Sequence, residues 1–157
     1  AEDAPKVDRI VVCSGGDADH LVAEDAASWI RRSLRNGAHI GAVADAAFDA
    51  IASVLKAGTA PAQVIEASGV IEDAGFTIID DLLHGYGGGY LPPILGTKSR
   101  PAGPVSDDPF RAGQTVVIQP NVVTRDGKAG VQTGEMVLIT ATGIERMHSL
   151  PRGFQTI

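Results

Sequence analysis

Gly130-Val131-Gln132-Thr133-Gly134-Glu135-Met136-Val137-Leu138-Ile139-Thr140 decides the fold class together with Phe110-Arg111-Ala112-Gly113-Gln114-Thr115-Val116-Val117-Ile118-Gln119-Pro120-Asn121 upstream. Both stretches carry runs of β-branched residues bounded by Gly, Pro and Asp, so Thr115 to Gln119 and Val131 to Thr140 read as strands. Phe76 to Ile79 and Ile144 to His148 have the same texture. Before Phe76 the apolar residues recur at helical spacing. A first helix is expected from Asp17 or Asp19 to about Asn36, through Leu21, Ala27, Trp29, Ile30 and Leu34, with Gly37 as its stop. A second covers Ile40 to Lys56, and a third runs from Pro61 to Ala74 and ends at Gly75. Val7 to Cys13 reads as a strand closed by the turn Ser14-Gly15-Gly16. Thr97 to Pro109 reads as a long loop close to a candidate site. A helical half followed by a strand half predicts an α+β chain, its helices packed on one face of a curved, mainly antiparallel sheet.

Composition narrows the function classes. The 157 residues are 44% hydrophobic and 20% charged, enough for one globular domain spanning 1–157 with a core of its own. The net charge of −6 is spread along the chain rather than gathered in blocks, which disfavours nucleic acid and anionic membrane surfaces as partners. One cysteine, Cys13, leaves no internal disulfide, and no apolar run approaches about 18 residues. A cytoplasmic location is the expectation from these features.

Five segments in one order carry a family resemblance. They are Asp8-Arg9 with the β-branched run to Gly15, Leu55-Lys56-Ala57-Gly58-Thr59 through Gly75-Phe76, His84-Gly85 with Pro92-Pro93-Ile94-Leu95-Gly96, the Phe110 to Asn121 stretch, and the Gly130 to Thr140 stretch. In this order they resemble the C-terminal half of the Xaa-Pro aminopeptidase, Xaa-Pro dipeptidase, methionine aminopeptidase and creatinase family. The resemblance implies the pita-bread fold; family members usually carry an additional N-terminal domain, so residues 1–157 read either as a single pita-bread-like domain or as a truncated one without that domain. It also implies a homo-oligomer acting on a small-molecule or peptide substrate.

Metal-dependent members of that family hold two divalent cations with two Asp, one His and two Glu, because such cations need anionic oxygens and an imidazole. Under the resemblance, one ligand Glu falls on Gln119 and the other on Gly134, with Glu135 alongside. Ala1 to Arg9 does not reproduce the spacing of the two Asp. His84 corresponds either to the ligand His or to the upstream substrate-positioning His, in which case Gly88 takes the ligand position. The resemblance therefore implies no metal ligands and no cofactor for this chain. The alternative is a piece of a binuclear Mn, Co or Zn peptidase whose Asp pair lies outside it.

What remains is His84 beside the glycine-rich run Gly85-Tyr86-Gly87-Gly88-Gly89-Tyr90. Glycines let backbone N–H groups approach a ligand, and the two tyrosines add hydroxyls and flat walls. A histidine can take and return a proton near neutral pH, the role implied by resemblance to creatinase, which acts on this fold without metal. His84 is the expected catalytic residue, and Tyr86, Tyr90, Gln119 and Glu135 are the expected substrate contacts. The competing reading makes His84 a hydrogen-bonded structural residue at a strand end. Asp80-Asp81 reads as a solvated turn, since adjacent acids on a strand face opposite ways. His20, His39 and His148 lack ligand spacing, Cys13 reads as a buried thiol, and Trp29 as a core or interface anchor. The glycine run lacks the Lys-Ser/Thr ending of a phosphate loop.

Two function classes follow. One is a metal-independent hydrolase or lyase that cleaves a C–N or similar bond of a small amino-acid-like substrate. The other is a noncatalytic binding or interaction module that kept the peptidase fold.

Overall fold

The computed structural model describes residues 23–150 and Arg152, with backbone alone for 23–38. The strand expected at Val7 to Cys13, its turn, the Asp17 or Asp19 cap, His20, Cys13 and the Trp29 side chain lie outside the described residues. No described helix is long and apolar enough to cross a membrane.

A single helix, α1 (Ala23–Val54, 32 residues), replaces the two helices expected on either side of Gly37. An interior glycine costs a helix only about 1 kcal/mol, which does not end an element whose buried stripe continues beyond it. That stripe is Ile40, Val43, Ala44, Ala47, Phe48 and Ile51, followed by Leu55 just past the helix, and every member is buried. Thr59 closes the end of α1, its hydroxyl donating to the Val54 carbonyl at 2.7 Å and accepting from the Lys56 N–H. The third expected helix is two short ones, α2 (Pro61–Ala67) and α3 (Val70–Asp73). Pro61 sits in the first turn of α2, and the Gln63 side chain accepts from the Ala60 N–H at 2.8 Å. Gly75, at φ +85, ends this run as the sequence implies.

Among the described residues eight strands follow: β1 (Thr77–Ile78), β2 (Leu83–Tyr86), β3 (Tyr90–Leu95), β4 (Thr115–Ile118), β5 (Asn121–Val123), β6 (Gly130–Gln132), β7 (Glu135–Ile139) and β8 (Ile144–Arg146). They form a three-stranded sheet ordered β1-β5-β6 and a five-stranded sheet ordered β3-β2-β4-β7-β8, with antiparallel pairing throughout. The stretch expected as one strand from Val131 to Thr140 breaks at Thr133-Gly134 and serves both sheets. The glycine-rich run joins β2 to β3 as the tip of a hairpin, with Gly88 at φ +84.

Register decides which side chains reach the core. Leu83 pairs with Leu95 and Ile118, and Ile118 pairs with Glu135, so these side chains share one face. Leu83, Leu95, Val116, Ile118, Val137 and Ile139 join the α1 stripe, Val64 and Ile71 in one buried cluster. His84 pairs with Ile94 and Val117, which places it on the opposite face.

Candidate functional site

The site is built on the face of the larger sheet turned away from that cluster. His84 lies in β2, only 4% exposed. Its Nδ1–H donates to the Gly85 carbonyl oxygen at 2.9 Å, since a carbonyl can only accept. In the neutral ring Nε2 then carries the lone pair, and it has no hydrogen-bond partner among the described residues. The Tyr90 ring lies over the imidazole with centroids 4.1 Å apart and planes 29° apart, and the Tyr86 ring stands tilted at 6.4 Å.

Gly85 explains why the hairpin can close so tightly. An added Cβ would run into the Pro92 carbonyl oxygen and stand 3.0 Å from that of Leu91. The pairing register shifts at this point, between His84 and Gly85, with Pro92 and Pro93 opposite.

Asp81, immediately upstream of β2, is fully buried rather than a solvated turn residue. The alternation argument separates Asp80 from Asp81 correctly, for Asp80 is exposed, but it does not reveal what awaits the buried partner. The Tyr90 hydroxyl donates to Asp81 Oδ2 at 2.7 Å, and Gln119 Nε2 donates to Oδ1 at 2.7 Å. A carboxylate can only accept, which fixes the Gln119 amide with its nitrogen toward Asp81. Its Oε1 in turn accepts from Gln132 Nε2 at 3.3 Å. Asn121 reaches the Asp81 carbonyl at 3.5 Å, and its own Oδ1 is buried without a hydrogen-bond partner. Burial raises the Tyr90 pKa, and the hydrogen bond to Asp81 and the charges of Asp81 and Asp80 push it the same way. The phenol therefore stays protonated and able to donate.

Of the expected site residues, His84, Tyr86, Tyr90 and Gln119 come together, and Glu135 does not join them. Glu135 lies on the core face opposite Ile118, where Arg146 Nε meets its Oε2 at 2.5 Å and Arg152 Nη1 approaches Oε1 at 3.7 Å. Arg152 also bridges Asp45 at 2.9 Å and Asp49 at 2.6 Å, and its guanidinium lies 4.0 Å above the Phe48 ring. Burial opposes the Arg152 charge, but hydrogen bonds to Asp45 and Asp49 outweigh it and raise its pKa. Gln132, Arg146 and Arg152 were not among the residues singled out from sequence, and Asp81 was singled out only to be read, with Asp80, as a solvated turn. The signal that could have kept it was its place three residues before His84.

The positions that the family resemblance assigns to metal ligands do not fit a pair of divalent cations. Both ends of the Gln119 amide are engaged, and Gly134 offers no side chain. A Cβ at Gly134 would meet Gln119 Cβ at 3.0 Å and the Ile118 carbonyl oxygen at 3.1 Å. Among the described residues, no group of three or more His, Cys, Asp or Glu could hold a metal ion.

The profile of Metallopeptidase family M24 matches residues 11–141. Solved structures of similar fold include the X-Pro aminopeptidase from Thermotoga maritima, 21% identical with a TM-score of 0.56 over 75% of this chain and 32% of that one. The prolidase from Pyrococcus furiosus is 19% identical with a TM-score of 0.58, over 74% of this chain and 34% of that one. The methionine aminopeptidase from Rickettsia prowazekii is 17% identical with a TM-score of 0.58, over 71% of this chain and 52% of that one. This chain thus spans about a third to a half of the length of these structures. No curated protein matches it. The likeness establishes the pita-bread fold, and the match over residues 11–141 establishes that the chain belongs to metallopeptidase family M24.

Proposed function

We propose that this chain is a hydrolase that works without a bound metal and cleaves a C–N bond of a small amino-acid-like substrate, with His84 as its acid and base. The observation that carries this reading is the tautomer: Nδ1–H is committed to the Gly85 carbonyl, which leaves Nε2 to accept a proton. In the proposed step Nε2 takes a proton from water and the resulting hydroxide adds to the substrate carbon. The C–N bond then breaks with its electron pair going to nitrogen, and the imidazolium returns the proton to that leaving nitrogen. Tyr86, Tyr90 and the Gln119 amide supply hydroxyl and amide groups for the substrate's polar ends.

The test is turnover of a panel of Xaa-Pro dipeptides, other dipeptides and guanidino acids in excess chelator, by the chain itself and by His84→Ala. Activity that survives chelator and falls about 10²- to 10⁴-fold in His84→Ala supports the reading. Activity that requires Mn, Co or Zn, or that is indifferent to His84→Ala, overturns it.

A specific observation favours a second reading, a binding module without chemistry: Tyr90 stacks on His84 and leaves the imidazole almost entirely covered. Ligand binding without turnover by the panel, unchanged in His84→Ala, would favour that reading. Proteins of similar fold named for peptidase activity make peptides the first ligands to try.

A further inference from the structure

Burying a carboxylate is costly unless hydrogen bonds compensate it. Asp81 is completely buried, and among the described residues no Lys or Arg bridges it. Its side-chain partners are two neutral donors, Tyr90 and Gln119, and both belong to the surroundings of His84. Asp81 precedes β2, Tyr90 opens β3 and Gln119 follows β4. One carboxylate therefore ties together the two strands that flank the histidine strand. We propose that Asp81 is the positioning residue of this site, holding the Tyr90 ring in place as a removable cover on the His84 imidazole.

Geometry separates the two ends of the cover. Tyr90 is half exposed while the imidazole beneath it is buried. The chain leading into Tyr90 is Gly87-Gly88-Gly89, which offers no side chains to anchor the ring, and a Cβ at Gly88 or Gly89 would meet nothing within 4 Å. The backbone of Tyr90 is held by its pairing with Tyr86, and the ring is held by its stacking on His84 and by its hydroxyl, through a bond to a charged acceptor, the stronger kind of hydrogen bond. The stacked ring closes one face of the imidazole, and its hydroxyl bond to Asp81 fixes it there beside the proton carrier, whose Nε2 lone pair lies in the plane of the ring. The inference rests on His84 being that carrier, but the measurement chosen to test it does not depend on turnover.

Diethyl pyrocarbonate acylates accessible unprotonated imidazole nitrogens, and peptide mass mapping reports the rate at each histidine. The rate at His84 is read relative to those at the exposed His39 and His148. Asp81→Asn turns an amide N–H toward one of the two donors, and Tyr90→Phe removes only the hydroxyl. Tyr90→Phe is expected to raise the relative rate at His84 about tenfold and Asp81→Asn by no more than that, with no further rise when they are combined, because both act on the same bond. A core variant remote from the site, Ile71→Val, is expected to lower stability and leave the relative rate unchanged. The proposal is overturned if Tyr90→Phe leaves His84 as protected as before, if the two effects multiply, or if Ile71→Val deprotects His84 equally. Should Asp81→Asn not fold, Tyr90→Phe decides the matter alone. A protected His84 in a protein without turnover would sink the hydrolase reading and leave the cover standing.

Discussion

The Gln119 amide nitrogen donates to Asp81 Oδ1 at 2.7 Å, so these two positions share one negative charge and one donor. Gln119 is also where the family resemblance places a ligand glutamate.

Restoring that glutamate is therefore expected to do harm. Gln119→Glu sets two carboxylates against each other in a buried place, at a cost of about 3 kcal/mol near neutral pH. The pair relieves itself by keeping a proton, so its apparent pKa in the fold lies above the ordinary carboxyl range. The folded variant then binds more protons than its unfolded chain, and its stability relative to the parent rises as pH falls through that raised value. Urea unfolding of parent and variant at pH 7 and pH 5 measures this. The gap between them should narrow at pH 5, and a gap independent of pH would contradict the arrangement.

Arg152 joins the C-terminal segment to α1 and β7 by three carboxylates and one ring. Its contact with the exposed Asp49 counts for little in water, whereas the buried Glu135 and the Phe48 ring are shielded. Arg152→Ala is expected to cost about 1–3 kcal/mol in urea unfolding. Arg152→Lys should recover less than half of the loss, because an ammonium cannot serve Asp45, Asp49 and Glu135 as a flat fork does. Full recovery by lysine would show that charge alone matters here.

A third prediction concerns the acid limb of stability. The Ser99 hydroxyl and N–H both donate to Glu72 Oε1, and these bonds lower the Glu72 pKa below its ordinary 4.5. The folded chain thus binds fewer protons there than the unfolded chain does. The stabilisation is present above about pH 4.5 and is lost as pH falls through the lowered value. In an NMR titration, Ser99→Ala should move the Glu72 midpoint upward, and an unmoved midpoint would remove the Ser99 hydroxyl as the cause.

Much of the architecture was legible in the residues. Thr115–Ile118 and Glu135–Ile139 announce themselves by their β-branched and aliphatic runs, and in both strands buried positions alternate with less buried ones. The buried stripe of α1 from Ile40 onward was equally plain, but the stop at Gly37 was not real, since a local preference of about 1 kcal/mol yields to a continuing helix. The β2–β3 hairpin was missed because glycine and proline, the usual marks of a loop, are here demanded by close approach of the two strands at Gly85 and Pro92. Within the site, the grouping of His84, Tyr90 and Gln119 follows from strand order and family resemblance. Asp81 was lost because sequence shows that two neighbouring acids part ways without showing that donors on β3 and after β4 meet one of them. Glu135 was drawn into the site by its place beside Gly134, where the family resemblance sets the second ligand glutamate, although its register with Ile118 turns it away.

The outermost strands of the larger sheet carry a further consequence. On one side, β3 places Pro92 and Pro93 in succession, two residues with no N–H to offer a visiting chain. On the other, β8 ends in Glu145 and Arg146, whose charges would have to be stripped of water before a new ladder could grow. Both flanks of the larger sheet are blunted against strand-by-strand extension, so an association of copies that uses this sheet is expected to match surfaces rather than lengthen it.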